Sequence, residues 1–142
     1  MLSDAERRFI DSRPVGRLAT ADAAGRPHVV PVCFALDGDN VYIAIDAKPK
    51  RGDPLRLKRL RNIVENPSAS LVVDRYADDW SRLGWVLLHA DAEILTDGAE
   101  HTNAQTLVRA RYRQMRDMDL AGLPVIALRV ARASSWGDLT PD

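Results

Sequence analysis

The chain has 142 residues, with 20 Lys and Arg residues against 20 Asp and Glu residues and a formal net charge of zero at pH 7. This length allows one domain with a core of its own, and the balanced charge excludes a strongly basic binder of nucleic acid or membrane surfaces. The single cysteine, Cys33, excludes an internal disulfide and is typical of a small buried apolar side chain. We therefore expect a soluble, cytoplasmic protein without a signal peptide or a membrane span.

The first third of the sequence predicts one helix followed by three strands. Ser3 and Glu6 have the spacing of a capping box, which predicts a short helix to about Ser12. Runs rich in β-branched and apolar residues then alternate with the turn sequences DAAG and DGDN. The predicted strands are 15–21, 27–36 and 41–45, and we expect them to form a meander.

A basic loop and a basic helix come next. Residues 46–54 contain two prolines, one glycine and three cations, which predicts a loop. Leu57, Leu60 and Val64 then recur at helical spacing and predict a helix that Pro67 ends.

The second half of the sequence predicts three further strands and one further helix. The strands are 69–74, 85–95 and 125–131, and an arginine-rich helix covers about 99–118. Six strands, in places joined by tight turns, favour an antiparallel barrel with helices that fill the gaps. No G-x-G-x-x-G sequence follows a strand, which disfavours a dinucleotide-binding parallel sheet.

The cations are concentrated in one part of this otherwise neutral chain. Seven of them lie within fourteen residues: Lys48, Lys50, Arg51, Arg56, Lys58, Arg59 and Arg61. One interpretation is a solvated helix face, and the other is a clamp for a phosphate or polyanion near a helix N-terminus. The second basic run, residues 109–116, has no adjacent glycine-rich loop and indicates a solvated face.

No pattern in the sequence identifies a catalytic side chain or a metal site. The paired acidic residues at 37–39 and 78–79 are typical of turns. His28, His89 and His101 lack the close spacing of metal ligands. No serine lies in a G-x-S-x-G sequence, so nucleophilic catalysis has no support.

Four segments together resemble a known superfamily. They are GRLATADAAGRPHVVPV, LRNIVENPSASLVV, DDWSRL and PVIALRVARASSWG. In this order and spacing they resemble the split-barrel flavin-binding superfamily, which includes the pyridoxamine 5′-phosphate oxidases and the related deazaflavin-dependent oxidoreductases. The resemblance covers the chain from Val15 to Trp136. It implies a single mainly β domain over residues 1–142, a six-stranded antiparallel split β-barrel with accessory helices, and a homodimer with its cofactor in a groove at the interface.

The resemblance also implies which residues bind the cofactor. The second strand would lie beside the ring system and phosphate, and the end of the third would frame the ring through backbone groups. The basic loop and helix would bind the phosphate and an anionic tail, and the DWS turn would approach the cofactor of one subunit or the other. The implied residues are His28, Val30, Pro31, Val32, Ala44, Ile45, Asp46, Lys48, Lys50, Arg51, Lys58, Arg59, Arg61, Trp80 and Ser81.

Departures from the superfamily pattern separate its branches. The phosphate-oxidase branch has an arginine and, five positions later, a lysine that bind the FMN phosphate, and these positions here hold His28 and Cys33. The helix sequence KRLRNI is instead similar to the branch that uses the deazaflavin coenzyme F420, whose phosphate and polyglutamate tail suit a basic loop. The C-terminal arginine and histidine motif of the pyridoxamine phosphate oxidases is absent.

The resemblance therefore implies an F420-dependent oxidoreductase that transfers a hydride between the deazaflavin and a small organic substrate. One alternative is an FMN-dependent oxidase or reductase of the pyridoxamine phosphate oxidase type. Another is a non-catalytic protein that binds flavin, F420 or haem. An RNA-binding barrel has the weakest support, because the aromatic residues are not interleaved with the cations. The expected partners are a small-molecule substrate and a second copy of the chain, and neither nucleic acid nor a membrane.

Overall fold

The computed structural model describes residues 1–46 and 57–142. The helices are α1 (Asp4–Ser12), α2 (Lys58–Glu65) and α3 (Ala99–Arg111). The strands are β1 (Gly16–Ala21), β2 (Pro27–Val32), β3 (Ala35–Asp37), β4 (Asn40–Ala44), β5 (Ser68–Arg75), β6 (Gly84–Leu95) and β7 (Val125–Gly137). Short 3₁₀ turns lie at Trp80–Arg82 and Arg113–Met115.

The strands form one antiparallel sheet in the order β2-β1-β5-β6-β7-β4-β3. Its two edge strands, β2 and β3, are consecutive in the chain and are joined only by Cys33 and Phe34. The sheet must therefore curl until its edges approach each other at this point. The fold is mainly β with accessory helices, as the sequence predicts.

The prediction of six strands is wrong, because the described residues form seven. The predicted strand 27–36 is interrupted, and its two parts pair with β1 and β4 at opposite edges of the sheet. The cause is Phe34, whose N–H donates to the hydroxyl of Tyr112 at 3.0 Å and whose carbonyl accepts from it at 3.0 Å. Since these backbone groups are bound to a side chain, the ladder stops there. The predicted meander is wrong for the same reason.

The core lies on the inner face of the curled sheet. Successive strand residues face opposite sides, and the inward set includes the fully buried Leu18, Leu71 and Leu88. Helix α1 adds the buried Phe9 and Ile10 to this cluster. It begins at the predicted capping box, with both reciprocal hydrogen bonds formed.

Helix α2 packs on the same inner side, and α3 packs on the outer side. Leu60 and Ile63 of α2 belong to the inner core. Ala104 of α3 packs instead against Tyr42 and Ala127, on the opposite face of β4 and β7. Helix α3 thus covers only one part of the outer face, and no helix of the described residues covers the outer face of β2, β1, β5 and β6.

The longest pairing joins β6 and β7, with an irregularity between His89 and Ala90. Arg75 anchors its open end, because this buried guanidinium donates to backbone carbonyls of Arg82 at 2.8 Å and of Asp138 and Thr140 at 2.6 Å. These contacts continue β7 to Gly137, beyond the predicted end at residue 131. Helix α3 is shorter than predicted and ends at Arg111 rather than residue 118.

Candidate functional site

Helix α2 and the turn between β1 and β2 form one structural unit, which we call the hairpin–helix unit. It comprises residues 20–28 and 58–65. Lys58, Asn62 and Glu65 lie along one side of α2 because of their i, i+4, i+7 spacing. Lys58 Nζ is 3.7 Å from Asp22 Oδ2, and Asn62 Nδ2 donates to Thr20 Oγ1 at 3.0 Å. Glu65 accepts from the backbone N–H that follows Asp22 at 3.1 Å. Three contacts therefore fix the helix against the hairpin.

The buried carboxylate of Asp22 organises the turn of this unit. Its side chain is 4% exposed and accepts from the backbone N–H groups of Ala24 at 2.9 Å and Arg26 at 3.0 Å. It also accepts from Nε of Arg26 at 2.8 Å. The hydrogen bond from the Arg26 backbone, followed by that from its side chain, lowers the pKa of Asp22 to about 2. Asp22 is therefore ionised at neutral pH.

Asn62 introduces a polar group into the contact between α2 and β1. Its side chain is fully buried, and its Oδ1 has no hydrogen-bond partner within the described residues. A buried amide normally pairs its oxygen as well as its nitrogen. The pair of Asn62 and Thr20 thus uses only part of its hydrogen-bonding capacity.

The predicted cations of α2 do not share one face. Successive helical residues are about 100° apart, so Arg59 and Arg61 differ in direction by about 200°. Arg61 is exposed, whereas Arg59 is half-buried and its Nε is buried without a hydrogen-bond partner in the described part of the chain. Burial lowers the pKa of Arg59, and the negative charge of Asp46 opposes this shift. Arg59 is therefore a partly desolvated cation next to the end of β4.

The predicted residues of β2 are divided between the two faces of the sheet. His28, Val30 and Val32 lie on the inner face, and Pro31 lies on the outer face. Val32 belongs to the core and Val30 packs against it. His28 is half-buried and lies opposite Thr20 in the strand register. The structure thus brings His28, but not the other three, to the hairpin–helix unit.

At the end of β4, the predicted residues serve mainly in packing. Ala44 lies in the cluster on the α3 side, and Ile45 lies in the inner core. The N–H of Ile45 donates to the carbonyl of Pro124 at 3.4 Å. Asp46 is half-buried and acts on Arg59 through its charge. The predicted contacts Lys48, Lys50 and Arg51 lie outside the described residues.

Trp80 and Ser81 lie at the other end of the sheet. Trp80 is 70% exposed, and Ser81 donates to Asp79 Oδ1 from its N–H at 3.0 Å and its hydroxyl at 2.7 Å. They follow Arg75, the last residue of β5, whereas the hairpin–helix unit adjoins Ser68, the first. At ~3.3 Å per residue, these two ends of β5 are about 23 Å apart. Within one chain, Trp80 and Ser81 are therefore not near α2.

The outer face of the sheet carries exposed apolar side chains. A shallow groove of ≈ 320 Å³ is lined by Arg17, Val72, Asp74, Trp85 and Leu87. Val29 on one side of it is 60% exposed, and Trp136, paired with Trp85 across β6 and β7, is 55% exposed. Within this lining Arg17 donates to Asp74 Oδ1 at 2.7 Å, and exposed apolar side chains grouped around such a groove are typical of an interaction surface.

One hydrogen-bonded histidine also lies on this outer face. Ser70 Oγ is 3.0 Å from His89 Nδ1, and both side chains are half-buried. Arg132 is the register partner of His89 on β7. The three residues form a polar row next to the apolar groove.

The second basic run contains a residue that the sequence misassigns. Arg111 donates to the carbonyls of Phe34 at 2.7 Å and Asp11 at 3.1 Å, and its guanidinium lies 4.5 Å from the Phe34 ring centroid. The prediction of a solvated face is wrong for Arg111, which joins the end of α1 to the β2–β3 connection. Its acceptors are backbone carbonyls distant in sequence, so no local pattern identifies them.

Residues 1–46 and 57–142 contain neither a cluster of metal-ligating side chains nor a helix that could cross a membrane. No group of three or more His, Cys, Asp or Glu side chains is placed to hold a metal ion. No helix there is long and apolar enough to cross a membrane.

Comparison with known protein sequences gives one family and a distant relative. The family model described as pyridoxamine 5′-phosphate oxidase matches residues 2–137. A 5a,11a-dehydrotetracycline/5a,11a-dehydrooxytetracycline reductase from Streptomyces rimosus subsp. rimosus is 29% identical over 121 residues, which cover 82% of this chain and 82% of that protein.

Solved structures with the same fold include proteins of different kinds. A conserved hypothetical protein from Mycobacterium tuberculosis has a TM-score of 0.77 at 20% identity, over 96% of this chain and 86% of that one. A haem binding protein from Mycobacterium smegmatis has a TM-score of 0.71 at 22% identity, over 96% of this chain and 59% of that one. The haem storage protein HutZ from Vibrio cholerae has a TM-score of 0.69 at 18% identity, over 91% and 89%.

At these identities the solved structures establish the curled-sheet fold alone, and the family model supplies the relationship in sequence. Its match includes the hairpin, α2 and the long β6–β7 pairing. The chain therefore belongs to the pyridoxamine 5′-phosphate oxidase family of the split-barrel flavin-binding superfamily.

Proposed function

We propose that this protein is a cytoplasmic reductase that transfers a hydride between coenzyme F420 and a small organic substrate. The family and the named activity of the S. rimosus relative support an oxidoreductase. The observation that carries the choice of cofactor site is Arg59, a partly desolvated cation whose Nε lacks an acceptor in the described part of the chain.

The surroundings of Arg59 fit the anionic part of such a cofactor. An oxyanion beside Arg59 would supply the missing acceptor and compensate the buried charge. Leu57, the N-cap of α2, makes no side-chain hydrogen bond, and the first turn has no acidic residue. Backbone N–H groups at such a helix start favour an anion. We therefore assign the phosphate to Arg59, with Lys58 as the neighbouring cation and the predicted basic loop for the tail; Arg61 points to nearly the opposite side of α2 and is not part of this assignment.

FMN is the alternative cofactor, and two positions count against it. His28 lies on the inner face of β2, and Cys33 follows β2 and packs in the cluster on the α3 side. Neither residue is the arginine or the lysine that binds the FMN phosphate in the phosphate-oxidase branch of the superfamily. We prefer F420 because the arginine and lysine that bind the FMN phosphate are absent from these positions and because α2 carries cations.

The chain would bind and orient both reactants, and the chemistry that F420 would supply when bound is hydride transfer. Strand β2 is an edge strand, so its unpaired backbone groups can hydrogen-bond to a flat ring rich in heteroatoms. His28 is the predicted β2 residue that lies on the inner face but outside the core, and we propose that it lies beside the ring. The backbone of residues 44–46 would frame its other side.

We propose a homodimer formed through the outer face around the groove. The exposed Val29 and Trp136 and the groove between them provide an apolar surface for a second copy. A two-fold arrangement that places opposite ends of β5 against each other across this face would bring Trp80 and Ser81 of one subunit toward the hairpin–helix unit of the other, because these two regions are about 23 Å apart within one chain. Light scattering should give twice the chain mass, and a stable folded monomer at micromolar concentration would contradict the proposal.

The activity can be tested with reduced F420 and a panel of conjugated acceptors that includes 5a,11a-dehydrotetracycline. We expect oxidation of F420 to depend on both protein and acceptor. Arg59→Gln should bind F420 about ten- to a hundredfold more weakly, because a charge-assisted hydrogen bond is lost. Arg113→Gln, an exposed arginine outside the site, is the control. Binding of F420 without turnover on any acceptor would indicate a carrier rather than an enzyme.

A non-catalytic haem binder is the second candidate. The observation that favours it is His89, a half-buried imidazole beside the apolar outer face. Imidazole ligates haem iron, and an apolar groove suits a porphyrin. A haem titration followed by absorbance, with His89→Ala beside the parent, tests this candidate. Tight binding that requires His89 would favour it over the reductase.

A further inference from the structure

We propose that Arg26 and Lys58 form a second anion-binding position on the hairpin–helix unit, for a phosphate or carboxylate group of the cofactor away from its ring. The identity of the ligand rests on the proposed function, whereas the anion position itself does not. Arg26 belongs to the turn before β2, so it lies outside the cationic segment that the sequence singles out.

The geometry brings the two cations to one point. Arg26 Nε donates to Asp22 Oδ2 at 2.8 Å, and Lys58 Nζ lies 3.7 Å from the same oxygen. The two nitrogens are therefore no farther apart than the sum of these distances, about 6.5 Å. One phosphate or carboxylate group can contact two donors at this spacing.

The exposure of the three side chains leaves the cations open to a ligand. The Asp22 side chain is 4% exposed, whereas those of Arg26 and Lys58 are 80% and 40% exposed. An incoming anion can thus reach the outer sides of both cations while Asp22 keeps its hydrogen bonds. One buried carboxylate faces two cations here, which leaves a local excess of positive charge.

The charges nearby add to this excess. The cations of the hairpin–helix unit are Arg26, Lys58, Arg59 and Arg61, and its carboxylates are Asp22 and Glu65. Four positive charges against two negative charges give a net charge of +2, or +1 when Asp46, whose charge acts on Arg59, is included. Such a surplus in a neutral chain favours an anion, and more strongly at low ionic strength.

The backbone segments that carry the two cations are held in place before any ligand binds. Two backbone N–H groups that donate to the Asp22 carboxylate define the turn, and Gly25 takes the positive φ of 79° that the turn requires. Contacts from Asn62 and Glu65 hold α2 against the same hairpin. Little loop ordering therefore remains for the ligand to impose.

A double-mutant cycle tests whether both residues contact one anion. The variants are Arg26→Gln, Lys58→Gln and the double variant, with Arg113→Gln as the control and circular dichroism as a check of folding. We expect each single variant to bind F420 about ten- to a hundredfold more weakly. The double variant should lose clearly less than the product of the two losses, because the second change removes a partner already lost. Arg26→Gln within twofold of the parent, or losses that multiply fully, would overturn the proposal.

Inorganic pyrophosphate separates this proposal from the proposed function. In ¹H–¹⁵N spectra of the parent, pyrophosphate should shift the Arg26 Nε–H signal and leave that of Arg113 unchanged. If this occurs while F420 does not bind, the anion position stands and the F420 proposal fails. If F420 binds, but pyrophosphate does not shift the Arg26 Nε–H signal and Arg26→Gln does not weaken F420 binding, the anion position is refuted and the F420 proposal stands. Comparison of F420 carrying one glutamate with F420 carrying several identifies whether phosphate or tail occupies the position.

Discussion

Replacement of Thr20 by valine should destabilise the protein at the contact between β1 and α2. Threonine and valine have nearly the same shape, so the substitution removes a hydroxyl without opening a cavity. In the parent, this hydroxyl oxygen accepts from Asn62 Nδ2 at 3.0 Å, and the two residues are 4% and 0% exposed. Because Asn62 Oδ1 already lacks a partner in the described residues, the Thr20→Val substitution would leave the entire buried amide unpaired.

The expected loss follows from the cost of that amide. A buried donor left without its partner costs about 1–3 kcal/mol of the free energy of unfolding. For 142 residues, an unfolding entropy of ~2.1 cal/mol/K per residue gives ~0.3 kcal/mol/K. Thr20→Val should therefore lower the melting temperature by about 3–10 °C.

A second substitution should reverse the loss. Leucine in place of Asn62 has a similar branched shape, favours a helix and carries no polar side-chain atoms. The free energy of unfolding of the Thr20→Val/Asn62→Leu variant should be no more than about 1 kcal/mol below that of the parent, because both partners become apolar and no buried polar group is left unpaired. Urea unfolding followed by tryptophan fluorescence and circular dichroism measures all three proteins. A Thr20→Val variant as stable as the parent, or a double variant less stable than Thr20→Val alone, would refute the reasoning.

Three further predictions concern stability. Hydrogen bonds from Arg129 and a tyrosine hydroxyl lower the pKa of Glu100 to about 2, below its ordinary 4.5. The ionised Glu100 therefore stabilises the folded state fully above about pH 4.5, and this stabilisation is lost as the pH falls toward 2. Urea unfolding should show a smaller acid-induced loss for Glu100→Gln than for the parent, and equal losses would contradict this. Arg75→Lys should lower the free energy of unfolding by about 2–4 kcal/mol in thermal or urea melts, because lysine cannot reach all three backbone carbonyls that the guanidinium binds; a change below ~0.5 kcal/mol would disprove it. Gly84→Ala should fold poorly, since its Cβ would lie 2.2 Å from a backbone carbonyl oxygen. The control Gly122→Ala, whose Cβ would have nothing within 4 Å, should melt like the parent. Equal melting curves for the two variants would show that the backbone yields at Gly84.

Regular elements were predictable because their patterns are local. The alternation in β5 and β6 corresponds to one face on the core, and the sequence places both strands to within one or two residues. The capping box of Ser3 and Glu6 needs only four residues to form. The interruption at Phe34 was not predictable, because it depends on Tyr112, 78 positions away in the chain.

The candidate site was only partly predictable, for a related reason. Sequence proximity groups Lys58, Arg59 and Arg61, but the packing of α2 turns Arg59 inward and leaves Arg61 in solvent. Helical spacing alone shows that these two diverge, and it does not show which one is buried. The role of Asp22 has a local signal in the DAAG turn, whereas its contact with Lys58 requires the fold.

The affinity of the purified protein for F420 relative to FMN tests the proposed cofactor most directly. Titration of each cofactor, followed by cofactor fluorescence and tryptophan quenching, gives both dissociation constants. We predict that F420 binds at least about tenfold more tightly than FMN, and that Arg59→Gln removes most of this preference while Arg113→Gln does not. Tighter binding of FMN, or F420 binding that is insensitive to Arg59→Gln, would contradict the assignment of this family member to F420.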